Sequence, residues 1–350
     1  MVAGTAAMSL YLSVHDAPET APVMMRRVAK TLWNRWPLVK AAILVLDDLR
    51  WGIRLRRGQI DTDSGATHAS LPDTESVRYI EEVFAAYKEY GKIDTFVGSV
   101  AEVGPGDNAG VAMLMRRDGC RQVDLVDRFA SRREHAKQQQ IYDALSAKYQ
   151  LEWLRNGRSW NDRELAGIVP KIGQSAEQHF KACVGNQSLK YDVIVSRSVL
   201  EHLYDPLGAL EHMALSLKPG GRMVHKIDLR DHGLFTPQHH ELTFLRFPHR
   251  LYQLMTRNSG RPNRILFHRY REVCERLRSQ LHIEYAVYVT RLTGIGDIVP
   301  HQLYEDIPAV IWKRAAEHVD QYRAKCSSEF QSVDSRDLAI AGIFLVMTRA

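Results

Sequence analysis

Residues 98–107 read Gly-Ser-Val-Ala-Glu-Val-Gly-Pro-Gly-Asp, and residues 123–127 read Val-Asp-Leu-Val-Asp. In each stretch an apolar run ends in an acid, and a glycine-rich turn follows the first. That order predicts a parallel α/β unit that holds a nucleoside. Glycines let the ligand approach the backbone, and the later carboxylate, Asp127, can grip ribose hydroxyls. Gly104-Pro105-Gly106 is followed by Gly110, so the stretch departs from the G-x-G-x-x-G dinucleotide pattern. Glu102 stands just before the turn, where it would repel a pyrophosphate but tolerate a positively charged nucleoside.

Outward from this unit, apolar β-rich runs alternate with helical periodicity. Strands are expected over Thr95–Val103, Val123–Val126, Ile168–Ile172, Tyr191–Ser196 and Arg222–Ile227, and helices over Ala109–Asp118, Arg133–Lys148 and Leu207–Leu217. Lys218-Pro219-Gly220-Gly221 reads as a helix stop that turns the chain into the fifth strand. The alternation predicts an α/β fold with a doubly wound, mostly parallel seven-stranded sheet. Ile283–Thr290 and Ala339–Thr348 would close it as an antiparallel C-terminal pair at its edge. Residues 1–92 are expected to form a helical, basic N-terminal extension, with a loop at 58–73 and a helix over Ser76–Tyr90. Residues 93–350 would form the main domain. Its insertions at about 233–266 and 291–337 are too long for simple turns and are expected to cover the substrate.

The chain has 350 residues, 45% hydrophobic and 25% charged, with a net charge of +6. It is mildly basic, yet it lacks a dense Lys/Arg tract or an aromatic-studded basic repeat, so no nucleic-acid partner is expected. Cys120, Cys183, Cys274 and Cys326 are widely separated with no CxxC pair, which argues against a zinc site or a disulfide framework and suits a reducing cytoplasm. The apolar stretch Pro37–Leu46 is far short of the roughly twenty residues that a spanning helix needs. Residues 24–57 are rich in Arg, Lys, Trp and Leu, with Trp33, Trp36 and Trp51. Two readings stand: contact with an anionic membrane surface, at the inner membrane, or a helix that packs its tryptophans on the main domain.

From Val97 through Asp231 the residues resemble the class I, Rossmann-like S-adenosylmethionine-dependent methyltransferases. The parts, in order, are Glu102-Val103-Gly104-Pro105-Gly106, Asp127, Gly173-Gln174-Ser175-Ala176-Glu177, Tyr191–Ser196 with Val199-Leu200-Glu201-His202-Leu203, and Leu217–Gly221. More narrowly, Ser196–His202, His225–His232, Leu242–Leu245 and Ser259–Asn263 look like uncharacterised bacterial methyltransferases associated with surface-polysaccharide loci. The resemblance implies an enzyme with S-adenosylmethionine as cofactor. It implies that Gly104, Pro105 and Gly106 approach the methionine part, with Glu102 at the foot of the same strand, and that Asp127 accepts from both ribose hydroxyls. Ser175 and Ala176 would flank the adenine, although related families often place an acid one or two positions earlier. Ser196 and Arg197 would face the methyl group and the substrate.

Methyl transfer to a hydroxyl is an in-line displacement in which a proton must also leave, so a general base or a metal helps. Ligands bind beyond the carboxyl ends of parallel strands. The candidates there are Arg197, His202, His225, Lys226, Asp228, Asp231 and His232. Strand alternation would put Lys226 and Asp228 on one face and His225 with Ile227 on the other. His232 or His225 is the expected base, with Asp228 and Arg197 beside it. Asp228, Asp231 and His232 could hold a divalent ion, but local spacing is a weak signal and no metal ligands are assigned. Glu201 and His202 read equally as site residues or as helix-start residues. The expected reaction is O-methylation of a sugar hydroxyl in a glycan, glycolipid or nucleotide-sugar. One alternative is methylation of a small-molecule natural product, in an apolar cavity made by Phe235, Phe244, Phe247, Tyr252 and Met255. Another is a non-catalytic partner protein that keeps the fold.

Overall fold

The computed structural model describes residues 37–161, 164–186, 190–232, 234–235 and 240–350. Trp33, Trp36 and the basic residues before Pro37 lie outside them, as does His239. A helix, α1 (Pro37–Arg56), leads into a two-residue strand, β1 (Asp61–Thr62), a single turn, α2 (Thr67–Ser70), and the long helix α3 (Asp73–Gly91). α3 begins after Pro72, whose fixed φ suits a helix entry, and stops at Lys92 in the left-handed region.

The alternating unit follows: β2 (Ser99–Val103), α4 (Gly110–Asp118), β3 (Gln122–Asp127), a short β4 (Ala130–Ser131), α5 (His135–Tyr149), β5 (Ile168–Ile172), α6 (Ala176–Val184), β6 (Tyr191–Arg197), α7 (Pro206–Leu215) and β7 (Leu217–Asp228). Then come α8 (His249–Thr256), α9 (Phe267–Leu281), β8 (Ile283–Leu292), β9 (Gly296–Leu303), α10 (Ala309–Arg323), two short helices and β10 (Ile340–Arg349).

The main sheet runs β5-β3-β2-β6-β7-β10-β8-β9. β5, β3, β2, β6 and β7 are parallel, as the apolar runs predicted. β10 is antiparallel to both β7 and β8 and lies between them. Two expectations are thereby corrected. The sheet has eight strands rather than seven, because β9, inside the stretch taken as cover, pairs antiparallel with β8. The C-terminal pair is consequently not the edge. The Lys-Pro-Gly-Gly stretch also differs: α7 ends at Leu215 with Ser216 as its cap, and residues 218–221 form an irregular start to β7, between the pairs Tyr191–Leu217 and Val193–Arg222.

Each face of the sheet has its own core. On one, Val100, Val193, Val195 and Val224 meet Ile80, Val83 and Tyr87 of α3 and residues of α4 and α5. On the other, Ala101, Val103, Ile194, Met223 and Ile227 meet α6, α7 and α9. Phe235, Phe244, Phe247, Tyr252 and Met255 are all buried in this second core, and Phe235 stacks on Phe247 at 4.9 Å. α1 is tied to the loop after α8 by Asp48. Its fully buried carboxylate accepts from the backbone N–H of Asn258 (3.0 Å) and Ser259 (3.0 Å), from Asn258 Nδ2 (2.7 Å) and from Ser259 Oγ (2.7 Å). Among the described residues, no helix is long and apolar enough to cross a membrane.

Candidate active site

The parallel strands end together, and the glycine turn leaves β2 at that edge. Gly104 and Gly106 both have φ of +69°. This left-handed conformation excludes ordinary side chains on steric grounds. A Cβ on Gly104 would run into Val199 Cγ2, and one on Gly106 would lie 2.7 Å from the Gly65 carbonyl oxygen. Pro105 sits between them with its own φ fixed.

Glu102 is buried, on the sheet face that holds Val195 and Val224. Its Oε2 has no hydrogen-bond partner among the described residues, and burial pushes its carboxyl up to about 8. A buried acid without a partner is costly unless a cation meets it. Asp127 ends β3, and its Oδ1 accepts from the Phe129 backbone N–H at 2.9 Å. Burial outweighs that bond and lifts its carboxyl to about 6.

The expected loop at 58–73 forms a strap across this edge. β1 pairs parallel with β4, just after Asp127. The Gly65 carbonyl accepts from Asp107 N–H at 3.1 Å, and the Asp107 carboxylate accepts from His68 N–H (3.5 Å) and Ala69 N–H (3.1 Å). Ser131 Oγ donates to the Ser64 carbonyl at 2.8 Å. The strap therefore joins the glycine turn to the loop after β3. Sequence reading missed it, because the strap meets the glycine turn through its own backbone groups, some forty positions away in the chain.

Ser175 and Ala176 stand at the start of α6, near the end of β5. The Ser175 side chain caps that helix, accepting from Gln178 N–H at 3.3 Å, and Ala176 is buried. Glu177 Oε1 accepts from the Tyr204 backbone N–H at 2.9 Å. Ser196 and His225 face each other across β6 and β7, with Ser196 Oγ 2.8 Å from His225 Nδ1. Both are fully buried, and burial drives the His225 imidazole down to about 3. The alternation along β7 is as expected. His225 lies with Met223 and Ile227 on one face, and Lys226 and Asp228 continue the Val224 face.

On that second face the carboxyl edge is densely charged. The Arg197 guanidinium lies over the Tyr79 ring at 5.4 Å. Burial, with Arg197 nearby, pulls the Lys226 ammonium down to about 8. Arg230 Nε donates to Asp228 Oδ1 at 2.8 Å, and its Nη2 also binds Oδ2. Burial opposes ionisation of Asp228, but the bonds from Arg230 and His232 hold it well below the usual carboxylate range. His232, with φ of +53°, brings Nε2 to 3.5 Å from Asp228 Oδ2 and 3.8 Å from Glu201 Oε1. Burial lowers the His232 pKa, but those carboxylates prevail and raise it above its ordinary 6.5. His202 lies against it, with ring centroids 5.1 Å apart. Of the two expected bases, only His232 belongs to this cluster.

A family described as a methyltransferase domain matches residues 77–261. The chain belongs to this methyltransferase family. Solved structures similar to the methyltransferase include the plantazolicin methyltransferase BpumL with a pentazolic desmethylPZN analogue and SAH. It is 11% identical, with 88% of this chain and 96% of that one covered and a TM-score of 0.40. The YcgJ protein of Bacillus subtilis is 12% identical over 77% of this chain and 98% of its own, with a TM-score of 0.37. The N-methyltransferase NodS of Bradyrhizobium japonicum, with S-adenosyl-L-homocysteine, is 16% identical over 44% and 64%, with a TM-score of 0.28. The assignment rests on the family match and on the site itself. No curated protein sequence matches the chain.

The chain is thus an enzyme of the methyltransferase class, and S-adenosylmethionine is its cofactor. The residues fit that group. Glu102 Oε2, without a partner among the described residues, suits a cationic ligand, the two left-handed glycines turn the chain at the end of β2, and Asp127 ends the neighbouring strand. When bound, the cofactor supplies an electrophilic methyl group on a sulfonium. Glu102, Gly104, Gly106 and Asp127 are the residues that would hold it.

Proposed function

We propose that this methyltransferase acts on a hydroxyl of a sugar, in a glycan, glycolipid or nucleotide-sugar. The observation that supports the reading is the contrast between the two sets of residues once expected near the acceptor. The aromatic set, Phe235, Phe244, Phe247, Tyr252 and Met255, fills the core, whereas the carboxyl edge presents Arg197, Lys226, Asp228 and His232. A polyhydroxylated acceptor is recognised by such polar groups, and an apolar natural product would need the aromatic cavity instead. The acceptor oxygen would take the methyl group as the methyl–sulfonium bond breaks and a neutral thioether leaves, and His232, with Asp228 beside it, is the residue placed to take the hydroxyl proton. Arg197 and Lys226 supply donors and positive charge for the acceptor's hydroxyls or an attached phosphate.

Incubation with labelled S-adenosylmethionine and a cell-envelope extract is expected to label a glycan or glycolipid fraction. Label found only in protein, nucleic acid or an apolar metabolite would sink the reading. The exposed face of α1 fits a lipid-linked acceptor. Leu38, Leu46, Leu49 and Ile53 are exposed along it, beside Arg50, Arg54 and Arg57. We place the enzyme in a reducing cytoplasm, in peripheral contact with an anionic membrane through this helix. The four free cysteines, all buried, suit that compartment.

A further inference from the structure

We infer that Glu201, His202 and His232 form a binding site for one divalent transition-metal ion at the acceptor side of the sheet edge. The three residues each bring one ligand atom to within 4.8 Å of the others. They come from different elements. Glu201 and His202 lie in the 3-10 turn Leu200–His202 after β6, and His232 follows the neighbouring strand β7.

His202 and Glu201 are prepared in a way that an ordinary charge cluster does not need. His202 Nδ1 lies 2.8 Å from the Gly260 carbonyl, which can only accept, so Nδ1 carries the proton and Nε2 keeps a lone pair. A backbone carbonyl on the far nitrogen is the usual support of a metal-bound imidazole. Glu201 is almost fully buried. Its Oε1 accepts from the Asp228 N–H at 3.2 Å, and its Oε2 has no hydrogen-bond partner among the described residues. An ion pair with His232 leaves that oxygen unsatisfied, whereas a cation in the triad satisfies it.

The support extends outward. Asn263 N–H donates to the Glu201 carbonyl at 2.6 Å, and its side-chain amide donates to the carbonyls of Leu200 (2.8 Å) and Leu203 (3.1 Å). The 260–263 segment therefore fixes both the backbone of the ligand pair and the His202 ring. Asp228 is not a ligand here, because Arg230 occupies both of its oxygens, although its Oδ2 lies 3.5 Å from the His232 Nε2 that also approaches Glu201. Val199, two residues before Glu201, is the side chain packed against Gly104, so the triad adjoins the cofactor turn.

Two imidazoles and one carboxylate favour Mn²⁺, Fe²⁺, Co²⁺, Ni²⁺ or Zn²⁺ over Mg²⁺, which prefers oxygen ligands and retains its water. Three protein ligands leave open positions, and vicinal hydroxyls of a sugar suit them; with the ion bound, its Lewis acidity would replace His232 as the means of acidifying the hydroxyl. This last step rests on the acceptor reading above, while the ion site does not.

The test needs no acceptor. Purified full-length chain, stripped with a chelator and dialysed, is titrated with Co²⁺ while the visible d–d absorption is followed, and bound metal is counted by elemental analysis. One ion per chain is expected, with a rise in melting temperature on addition. Glu201→Gln keeps the shape of a buried group and is expected to fold as the wild type does, yet to bind Co²⁺ at least about 100-fold more weakly and to lose the thermal shift. His202→Gln and His232→Gln should lose the absorption band. No stoichiometric binding by the wild type, or a titration by Glu201→Gln that matches the wild type, would overturn the inference. A glycan that fails to label leaves these readouts untouched, so the two readings fail separately.

Discussion

If Glu102 holds the sulfonium as proposed, protonation and cofactor binding would compete for one buried oxygen. Its carboxyl sits near 8, so at neutral pH it is mostly protonated, and a sulfonium nucleoside binds best to the ionised form. Affinity for S-adenosylmethionine should therefore increase as pH rises from about 7 to 9, and Glu102→Gln should bind more weakly with a flat profile. Parallel profiles for the two proteins in calorimetry would refute the role. The same group predicts a stability difference. The raised native pKa means the unfolded chain loses its proton first. The penalty for burying the acid grows as pH rises from the ordinary 4.5 towards 8 and is constant above that. Without cofactor, Glu102→Gln should melt close to wild type at pH 5 and above it at pH 9. Gly104 offers a second check. Gly104→Ala puts a Cβ at positive φ and against Val199, at a cost of about 1–2 kcal/mol for the backbone alone. Adding Val199→Ala should recover the part due to collision and leave the backbone part, as read in denaturant titrations.

Elements meet around the site through single polar residues, and each joint can be cut. Asp48 fastens α1 to the loop after α8 with four short hydrogen bonds, so Asp48→Ala leaves the half-buried donors of Asn258 and Ser259 without this partner. A loss of about 2–4 kcal/mol is expected from equilibrium unfolding; a loss under about 1 kcal/mol would mean that water replaces the carboxylate. Asp107 fastens the strap at His68 and Ala69. In Asp107→Ala, amide exchange at residues 64–69 should accelerate while α4 keeps its protection. The exposed face of α1 can be changed without touching its packed side, where Ala41, Leu44 and Asp48 are buried. Leu46→Glu, Leu49→Glu and Ile53→Glu together should abolish co-flotation with anionic liposomes and leave the melting temperature within a few degrees. Flotation equal to wild type would end the membrane proposal.

Across the whole molecule, local patterns in the sequence were enough wherever a feature is built from neighbours in the chain. The five parallel strands announce themselves as unbroken apolar runs because both of their faces are covered. Glu102, the glycine pair and Asp127 stand out because strand end, turn and acid follow one another directly. β9 leaves no such trace: in Gly296–Leu303 only Ile298 is buried, Val299 is 82% exposed and Pro300 interrupts the run. His225 looked like a base because the sequence shows a polar residue but not the Ser196 hydroxyl across the register. The grip of Gly260 on His202 joins residues 58 positions apart, which no spacing rule anticipates. The place of β10 has a further consequence, one of timing. β7 ends at Asp228, yet the strand that pairs with its outer side begins at Ile340. During synthesis that side of β7 stays open while more than a hundred further residues are made. An apolar strand with unpaired backbone is thus exposed on the ribosome, vulnerable to mispairing with other nascent chains until its late partner arrives.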